Sequence, residues 1–303
     1  MPIRCSKCNK AAVTFIRYNG THLCKDHFIE YFERRVKREF RKQKSKKRLN
    51  RIAVALSGGK DSSVALYVTH MIYHKTTEIH AITVDEGIDG YRDKTIAIAR
   101  NLCKELGVKH HIVSFREHVG KTMDDIAKIE NEIGTCTYCG VFRRNCLNRK
   151  AKELDADVLV MGHNLDDYSQ SILMNFVNAD LEKLIRLGPH ERVQPGLIPR
   201  ILPLRMIPEK EVFLYAMLRG LETSLDECPY ALSNRKKFRD MINELERDHP
   251  GTRHKIVQSY EQIKPLLSKH FPPAELKTCK YCGEPAASSI CKACLLKEKL
   301  RSD

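Results

Sequence analysis

Long apolar runs are missing from this 303-residue chain. No stretch of about 18 consecutive apolar residues occurs, which excludes a membrane-spanning helix on hydropathy grounds. The first ten residues, MPIRCSKCNK, also lack the apolar segment of a secretory signal, so a cytoplasmic protein with no membrane partner is expected. Acidic residues are in short supply: 38 Asp and Glu face 53 Lys and Arg, a formal charge of +15. That imbalance favours a polyanionic partner, RNA or DNA first, although a thermophile-like charged surface would produce the same excess. The phosphate loop G-x-x-x-x-G-K-[ST] does not occur either, which removes the Walker-type nucleotide-binding proteins.

Cysteine, by contrast, is plentiful. A chain of this length buries a core without disulfide staples, and its twelve cysteines fall mostly in close pairs, the spacing of metal ligands in a reducing compartment. Cys5, Cys8, Cys24 and His27 read C-x2-C-x15-C-x2-H, and Cys279, Cys282, Cys291 and Cys294 read C-x2-C-x8-C-x2-C. Four soft ligands in two pairs close a tetrahedron around zinc, and closed sites of this kind are structural. The expected organisation is a zinc finger over residues 1–30, a basic helix and linker over 31–50, an α/β domain over 51–270 and a zinc ribbon over 271–303. In the second of these, Phe28, Phe32, Val36 and Phe40 recur every fourth residue, which predicts a helix with one apolar stripe. Arg34, Arg35, Lys37, Arg38, Arg41 and Lys42 are expected on its other faces. Eleven of the residues from Arg34 to Arg51 are basic and only Glu39 is acidic, a density that points to phosphate-backbone contact as well as to a solvated face.

The central body alternates strand and helix patterns. An apolar run from Ile52 to Leu56 leads into a turn at Gly58 and Gly59 and a helix opening near Asp61. Glycines let backbone approach a phosphate, the helix N-terminus offers unpaired N–H groups, and Ser57, Lys60 and Ser62 add donors. Further strands are expected in EIHAITVDEGI, ending at Asp85, in KHHIVSF, and from Val158 to Met161. The last leads into the turn GHNLDD and another helix. The predicted fold class is therefore α/β, a doubly wound parallel sheet flanked by N- and C-terminal zinc-binding modules, with its ligand site beyond the strand C-termini. His163, Asp166 and Asp167 fall at that edge, where helix capping is the competing explanation. Cys136 and Cys139 lie in a loop-like stretch after the helix expected in TMDDIAKIENEIG. Two thiolates do not close a metal site, and Cys228, in a Cys-Pro turn before a basic helix, is one candidate third ligand. Three cysteines around a 4Fe-4S cluster leave one iron without a protein ligand. Cys103, in a helical pattern, reads as core, and Cys146, seven residues after Cys139, as a less favoured ligand.

The string SGGKDS directly after a strand resembles the PP-loop of the ATP pyrophosphatase superfamily, a HUP-like fold, which implies cleavage of ATP between its α and β phosphates. Together with CTYCGVFRR, GHNLDD, ECPY and the two terminal ligand sets, it makes the chain resemble the tRNA 2-thiolation enzymes of the TtuA and NcsA group, related to TtcA, over nearly its whole length. The resemblance implies tRNA as substrate, ATP with Mg²⁺, two zinc ions, and a 4Fe-4S cluster on Cys136, Cys139 and Cys228. It also implies a homodimer and a sulfur donor that is either a ubiquitin-like thiocarboxylate carrier or inorganic sulfide. Among residues, it implies that Ala55 meets the adenine, that Ser57, Gly58, Gly59, Lys60, Asp61, Ser62 and Gly162 line the nucleotide, and that Arg143 meets phosphate or the reacting base; Asp167 is the candidate essential acid, either orienting Mg²⁺ or assisting deprotonation. Three rival readings use the same residues: a persulfide-type thiolase without a cluster, a zinc-finger RNA binder without activity, and an amidotransferase-like ligase. The last leaves the charge and the three central cysteines without a role.

Overall fold

In the computed structural model, residues 3–43, 48–129, 133–189, 193–231, 233–272 and 275–302 are described. Lys44, Lys46 and Lys47 of the basic linker lie outside them. A small antiparallel hairpin, β1 (Thr14–Ile16) and β2 (Thr21–Leu23), leads into α1 (Lys25–Gln43). The expected stripe is real: Phe28, Phe32, Val36 and Phe40 are all buried. One of the residues expected on the solvent faces is not. Arg35 is buried, because Glu211 supplies a countercharge at 2.5 Å.

The central domain runs β3 (Arg51–Ala55), α2 (Lys60–Tyr73), β4 (Glu78–Asp85), α3 (Arg92–Leu106) and β5 (Lys109–Ser114). The short helices α4 (Phe115–Val119) and α5 (Met123–Ala127) and the long α6 (Thr135–Glu153) follow. The chain then forms β6 (Val158–Val160), α7 (Leu165–Val177), α8 (Leu181–Ile185), β7 (Arg200–Ile201), α9 (Glu209–Arg219), α10 (Ser233–Asp248) and α11 (Thr252–His270). A second hairpin, β8 (Lys277–Thr278) and β9 (Pro285–Ala286), and α12 (Lys292–Ser302) close it. The sheet order is β5-β4-β3-β6-β7, every pair parallel. Ile52 stands opposite both Ile79 and Val158, and Val54 opposite both Ala81 and Val160. Winding outward from β3 to β5 and then restarting at β6 leaves a crevice at the C-terminal ends of β3 and β6.

Both sheet faces are covered, which is why β3 reads as a continuous apolar run rather than an alternating one. Ile52, Val54 and Leu56 face one core, shared with α1, α2 and α9. Ala53 faces another, shared with Tyr138 and Phe142 of α6 and with Leu296 and Leu300 of α12. Two expectations are corrected here. Cys136 and Cys139 are not in a loop but in the first turns of α6. The helix expected before them is only the five residues of α5, capped by a reciprocal Thr122–Asp125 box; residues 130–132 lie outside the described set. The two-residue strand β7 is an addition, too short to leave a periodic signal. Among the described residues, no helix is long and apolar enough to cross a membrane.

Candidate functional site

The phosphate loop is built by backbone constraints. Gly58 sits at φ +83°, and a Cβ there would fall 2.0 Å from the Thr95 carbonyl oxygen, so glycine is required on both conformational and steric grounds. Gly59 caps α2 in an extended conformation without any side-chain cap, leaving the helix's N-terminal N–H groups facing the turn. Ser57 N–H donates to Ser62 Oγ at 3.0 Å, and the Ser62 hydroxyl donates to the Gly59 carbonyl at 2.9 Å, so the two hydroxyls stand 3.0 Å apart inside the turn. Lys60 Nζ is held between Asp61 at 3.1 Å and Glu209, the first residue of α9, at 2.6 Å. Burial lowers the Lys60 pKa, but these two carboxylates outweigh it and the net shift is upward. Burial pushes the Asp61 carboxyl up against the opposing pull of Lys60.

The GHNLDD turn meets this loop directly. A Cβ on Gly162 would lie 2.8 Å from three backbone atoms of Asp61 and Ser62. Asn164 donates through Nδ2 to Asp61 Oδ1 at 3.0 Å. Its own Oδ1 accepts from Asp167 N–H at 3.0 Å while Asp167 Oδ2 accepts from Asn164 N–H at 3.3 Å, a complete capping box for α7. Asp167 is thus both a helix cap and a cleft carboxylate, its Oδ1 3.2 Å from Arg235 of α10. Asp166 points away, accepting from Glu209 N–H at 2.8 Å and pairing with Arg253 of α11 at 2.7 Å. His163, between Gly162 and Asn164 in this turn, is exposed. The crowding there and the neighbouring Arg235, Arg143 and Arg200 lower its pKa despite Asp167.

Two groups that the motifs did not reveal organise the other wall. Arg92, buried in the first turn of α3, donates to the carbonyls of Ser57 at 3.2 Å and Val84 at 2.5 Å and pairs with Glu86 at 2.7 Å. Glu86, just beyond β4, also faces Arg143 of α6 at 3.6 Å. The phosphate loop, the end of β4 and the cysteine-bearing helix are therefore joined by charge. Only the fold brings them together; the legible signal was the acidic pair Asp85 and Glu86 at a strand C-terminus. Arg144, next to Arg143, has its pKa lowered by burial and by the like charges of Arg200 and Arg143, so this side of the cleft is strongly cationic.

Cys136 and Cys139 are one turn apart on α6, and Cys228 approaches them from the segment between α9 and α10. Cys136 Sγ donates to the Tyr230 carbonyl at 3.2 Å. At its other end this segment bridges to the phosphate loop, Ser224 N–H donating to the Gly58 carbonyl at 3.2 Å. Burial raises the Cys139 thiol to about 11, with Arg143 lowering it and Glu86, Cys228 and Cys136 raising it. Cys228 is pushed up by burial and by Cys136. Cys136 is exposed and the other two half-buried, so the thiols share one patch with an open side. Their sulfurs do not close to the tight grouping of the two terminal sets. Cys103 and Cys146 are buried in the cores, with thiols raised by burial to about 12 and about 11.

Both terminal sets do close. In each, the four ligand atoms lie within 4.8 Å of one another. Cys5 Sγ and Cys24 Sγ are each 3.4 Å from His27 Nδ1, and Cys8 Sγ is 3.7 Å from Cys24 Sγ. Burial raises the Cys5 thiol, but hydrogen bonds from the backbone of Cys24 and Lys7 bring it down to about 6. Cys279 falls to about 6 in the same way, burial opposed by the N–H groups of Cys291 and Tyr281. Four Cys and His ligand atoms gathered this closely fit zinc.

The chain matches the family described as a PP-loop domain over residues 30–243 and that described as the N-terminal LIM domain of the 2-thiouridine synthetase TtuA over residues 4–29. It is 37% identical to the tRNA 2-thiolation protein NcsA of Haloferax volcanii, covering 99% of this chain and 100% of that one. It is 35% identical to the tRNA-5-methyluridine(54) 2-sulfurtransferase of Pyrococcus horikoshii, covering 96% and 93%. Among solved structures it resembles the U34-tRNA thiolase NcsA of Methanococcus maripaludis with its [4Fe-4S] cluster, at a TM-score of 0.84 and 36% identity over 99% of this chain and 97% of that one.

Proposed function

The chain belongs to the TtuA/NcsA group of PP-loop tRNA 2-thiolation proteins, and from that membership we propose that it is an ATP-dependent tRNA uridine 2-sulfurtransferase whose adenylation and sulfur-transfer steps share the cleft described above. The observation that carries this is the segment from Ser224 to Tyr230, tied to the phosphate loop at one end and to Cys136 at the other. The C2 oxygen of uridine is a poor leaving group. Attack of that oxygen on the α phosphorus of ATP expels pyrophosphate, and the resulting AMP ester leaves when sulfur adds at C2.

In this scheme Ser57, Ser62 and the N-terminus of α2 cradle the phosphates. Lys60, already within reach of the loop, exchanges its bond to Glu209 for a phosphate oxygen, and Ala55 lies under the adenine at the end of β3. Asp61 and Asp167 are the residues that would hold Mg²⁺, which neutralises phosphate charge. Arg143, kept on the cleft wall by Glu86, faces the developing negative charge of the leaving group. Cys136, Cys139 and Cys228 would hold an iron–sulfur cluster, which supplies an iron open to exogenous sulfur. The two terminal sets would hold structural zinc. The enzyme is read as a cytoplasmic homodimer fed by a thiocarboxylate carrier protein or inorganic sulfide.

The test is iron, acid-labile sulfide and zinc per chain in protein purified without oxygen, beside an anaerobic thiolation assay. About four iron, about four sulfide and two zinc are expected. Cys228→Ala is expected to lose iron and thiolation while keeping both zinc ions; an iron-free wild type that still thiolates would instead establish persulfide chemistry.

A further inference from the structure

Away from the cleft, α1 carries a row of charge that the reaction does not use. Arg34, Arg38 and Arg41 are spaced by four and three residues and share one helix face. Arg35 on the inner side is paired with Glu211, and Lys42 lies 3.8 Å from Glu39. The three outer arginines have no ion-pair partner among the described residues, Arg34 only lying 6.0 Å from the Tyr31 ring centre. They edge a cavity of about 400 Å³ whose other walls include Tyr18, Tyr31 and His254.

The floor of this cavity is already organised. Arg35 donates to Glu211 at 2.5 Å and to the Tyr18 hydroxyl at 2.8 Å, and Tyr18 donates to Glu211 at 2.6 Å. The Tyr31 hydroxyl is 3.0 Å from that of Tyr18, and the His254 ring centre lies 4.5 Å from the Tyr18 ring centre. Glu211 thereby cancels the one buried cation, and the net charge of the site is that of its rim. Guanidinium forks pair with phosphate oxygens in a fixed planar geometry, whereas the Tyr18 and Tyr31 rings lie under Arg35 and belong to the floor. The row runs about 10 Å along the helix, so a single phosphate occupies one end of it whereas a nucleic-acid strand offers one phosphate to each arginine. Glu211 and Glu209, the partner of Lys60, stand in the same first turn of α9, so this floor and the catalytic loop are held by one rigid element.

We propose that this face of α1 is a second, non-catalytic docking site for the phosphodiester backbone of the tRNA, with Arg34, Arg38 and Arg41 as its phosphate contacts. It rests on the proposed function and assigns where the substrate's body sits. The triple variant Arg34→Ala, Arg38→Ala, Arg41→Ala replaces exposed residues with a good helix former, so zinc content and ATP affinity are expected to stay at wild-type values. Its tRNA affinity, measured by fluorescence anisotropy from 50 to 300 mM KCl, is expected to fall roughly tenfold or more, with the slope of log K against log salt shallower by about 2, since each lost contact removes roughly 0.7–0.9. The corresponding triple lysine variant keeps the charges and is expected to recover most of the slope. Unchanged affinity and slope in the alanine variant would overturn the site while leaving the function standing, as would a loss confined to ATP. A wild type with neither tRNA affinity nor thiolation would overturn both.

Discussion

Substituting Gly162 by alanine isolates the contact that holds the GHNLDD turn against the phosphate loop in the proposed nucleotide site. A Cβ at this position lies 2.8 Å from the carbonyl carbon and oxygen of Asp61 and from the Ser62 nitrogen. All three are backbone, so no side chain can swing aside, and reaching ordinary contact forces the GHNLDD turn and the phosphate loop apart by about 0.6 Å. Overpacking of this kind costs about 1–3 kcal/mol, roughly 2–4 °C of melting temperature per kcal/mol in a chain approaching this size. The functional cost is larger in proportion. A displacement of about 1 Å in a reacting geometry costs around a hundredfold in rate, so roughly tenfold is expected here, accompanied by weaker binding of a non-hydrolysable ATP analogue. Gly59→Ala is the control for the melting temperature alone, because its Cβ meets nothing closer than Ser57 Oγ at 3.6 Å and its backbone suits alanine, while its place in the phosphate loop keeps it out of the ATP comparison. The assays are thermal unfolding, calorimetric titration of the ATP analogue, and single-turnover AMP formation with tRNA. Wild-type ATP affinity and melting temperature in Gly162→Ala would refute the argument that these two loops are locked backbone to backbone.

Two further outcomes follow from the geometry. Asn164→Ala removes a helix cap worth about 1 kcal/mol and at once frees Asp61 Oδ1, so it should lower both the melting temperature and ATP affinity, whereas Asn164→Ser, which keeps a capping oxygen without the amide donor, should restore the melting temperature alone. His254 is depressed to about 4 by burial and by Arg35, so it stays neutral in the fold where the unfolded chain takes up a proton; that contribution to stability is complete above its ordinary value near 6.5 and drains away as pH falls toward 4. Melting curves of wild type and His254→Gln are therefore expected to converge as pH drops from 6.5 to 4, and parallel curves over that interval would contradict the assignment.

What the sequence made legible was whatever is local and repeated. The apolar runs of β3, β4 and β6, the stripe of α1, the SGGKDS turn and the paired ligands at both ends all announce themselves within a few residues. The start of α6 did not, because Thr135, Thr137 and Gly140 around the cysteines are weak helix formers and tertiary packing of Tyr138 and Phe142 decides the matter. Arg35 was misplaced for a related reason: its partner Glu211 is 176 residues away, and an arginine beside an apolar stripe reads as solvated until that partner is known. The same holds for Lys60 with Glu209 and for Arg92 with Glu86. The cleft's charges are legible one at a time, but their pairing is a property of the topology.

The C-terminal module is not an appendage to α6 but part of its bedding. Leu296, Leu300 and Cys291 share a core with Tyr138 and Phe142, and Glu284, next to the ligand pair Cys279 and Cys282, reaches Asn148 at 3.0 Å and Lys152 at 3.1 Å. With zinc on its four cysteines, as proposed, a module this small would hold its shape through that metal. On the proposed function, maturation would have a direction: the ribbon would be filled before α6 has its full surface to lie on, and Cys136 and Cys139 would then be presented toward Cys228. In that proposal an oxygen-labile centre would be made downstream of a redox-inert one, and a chain starved of zinc would be expected to lose iron without any change at Cys136, Cys139 or Cys228 themselves.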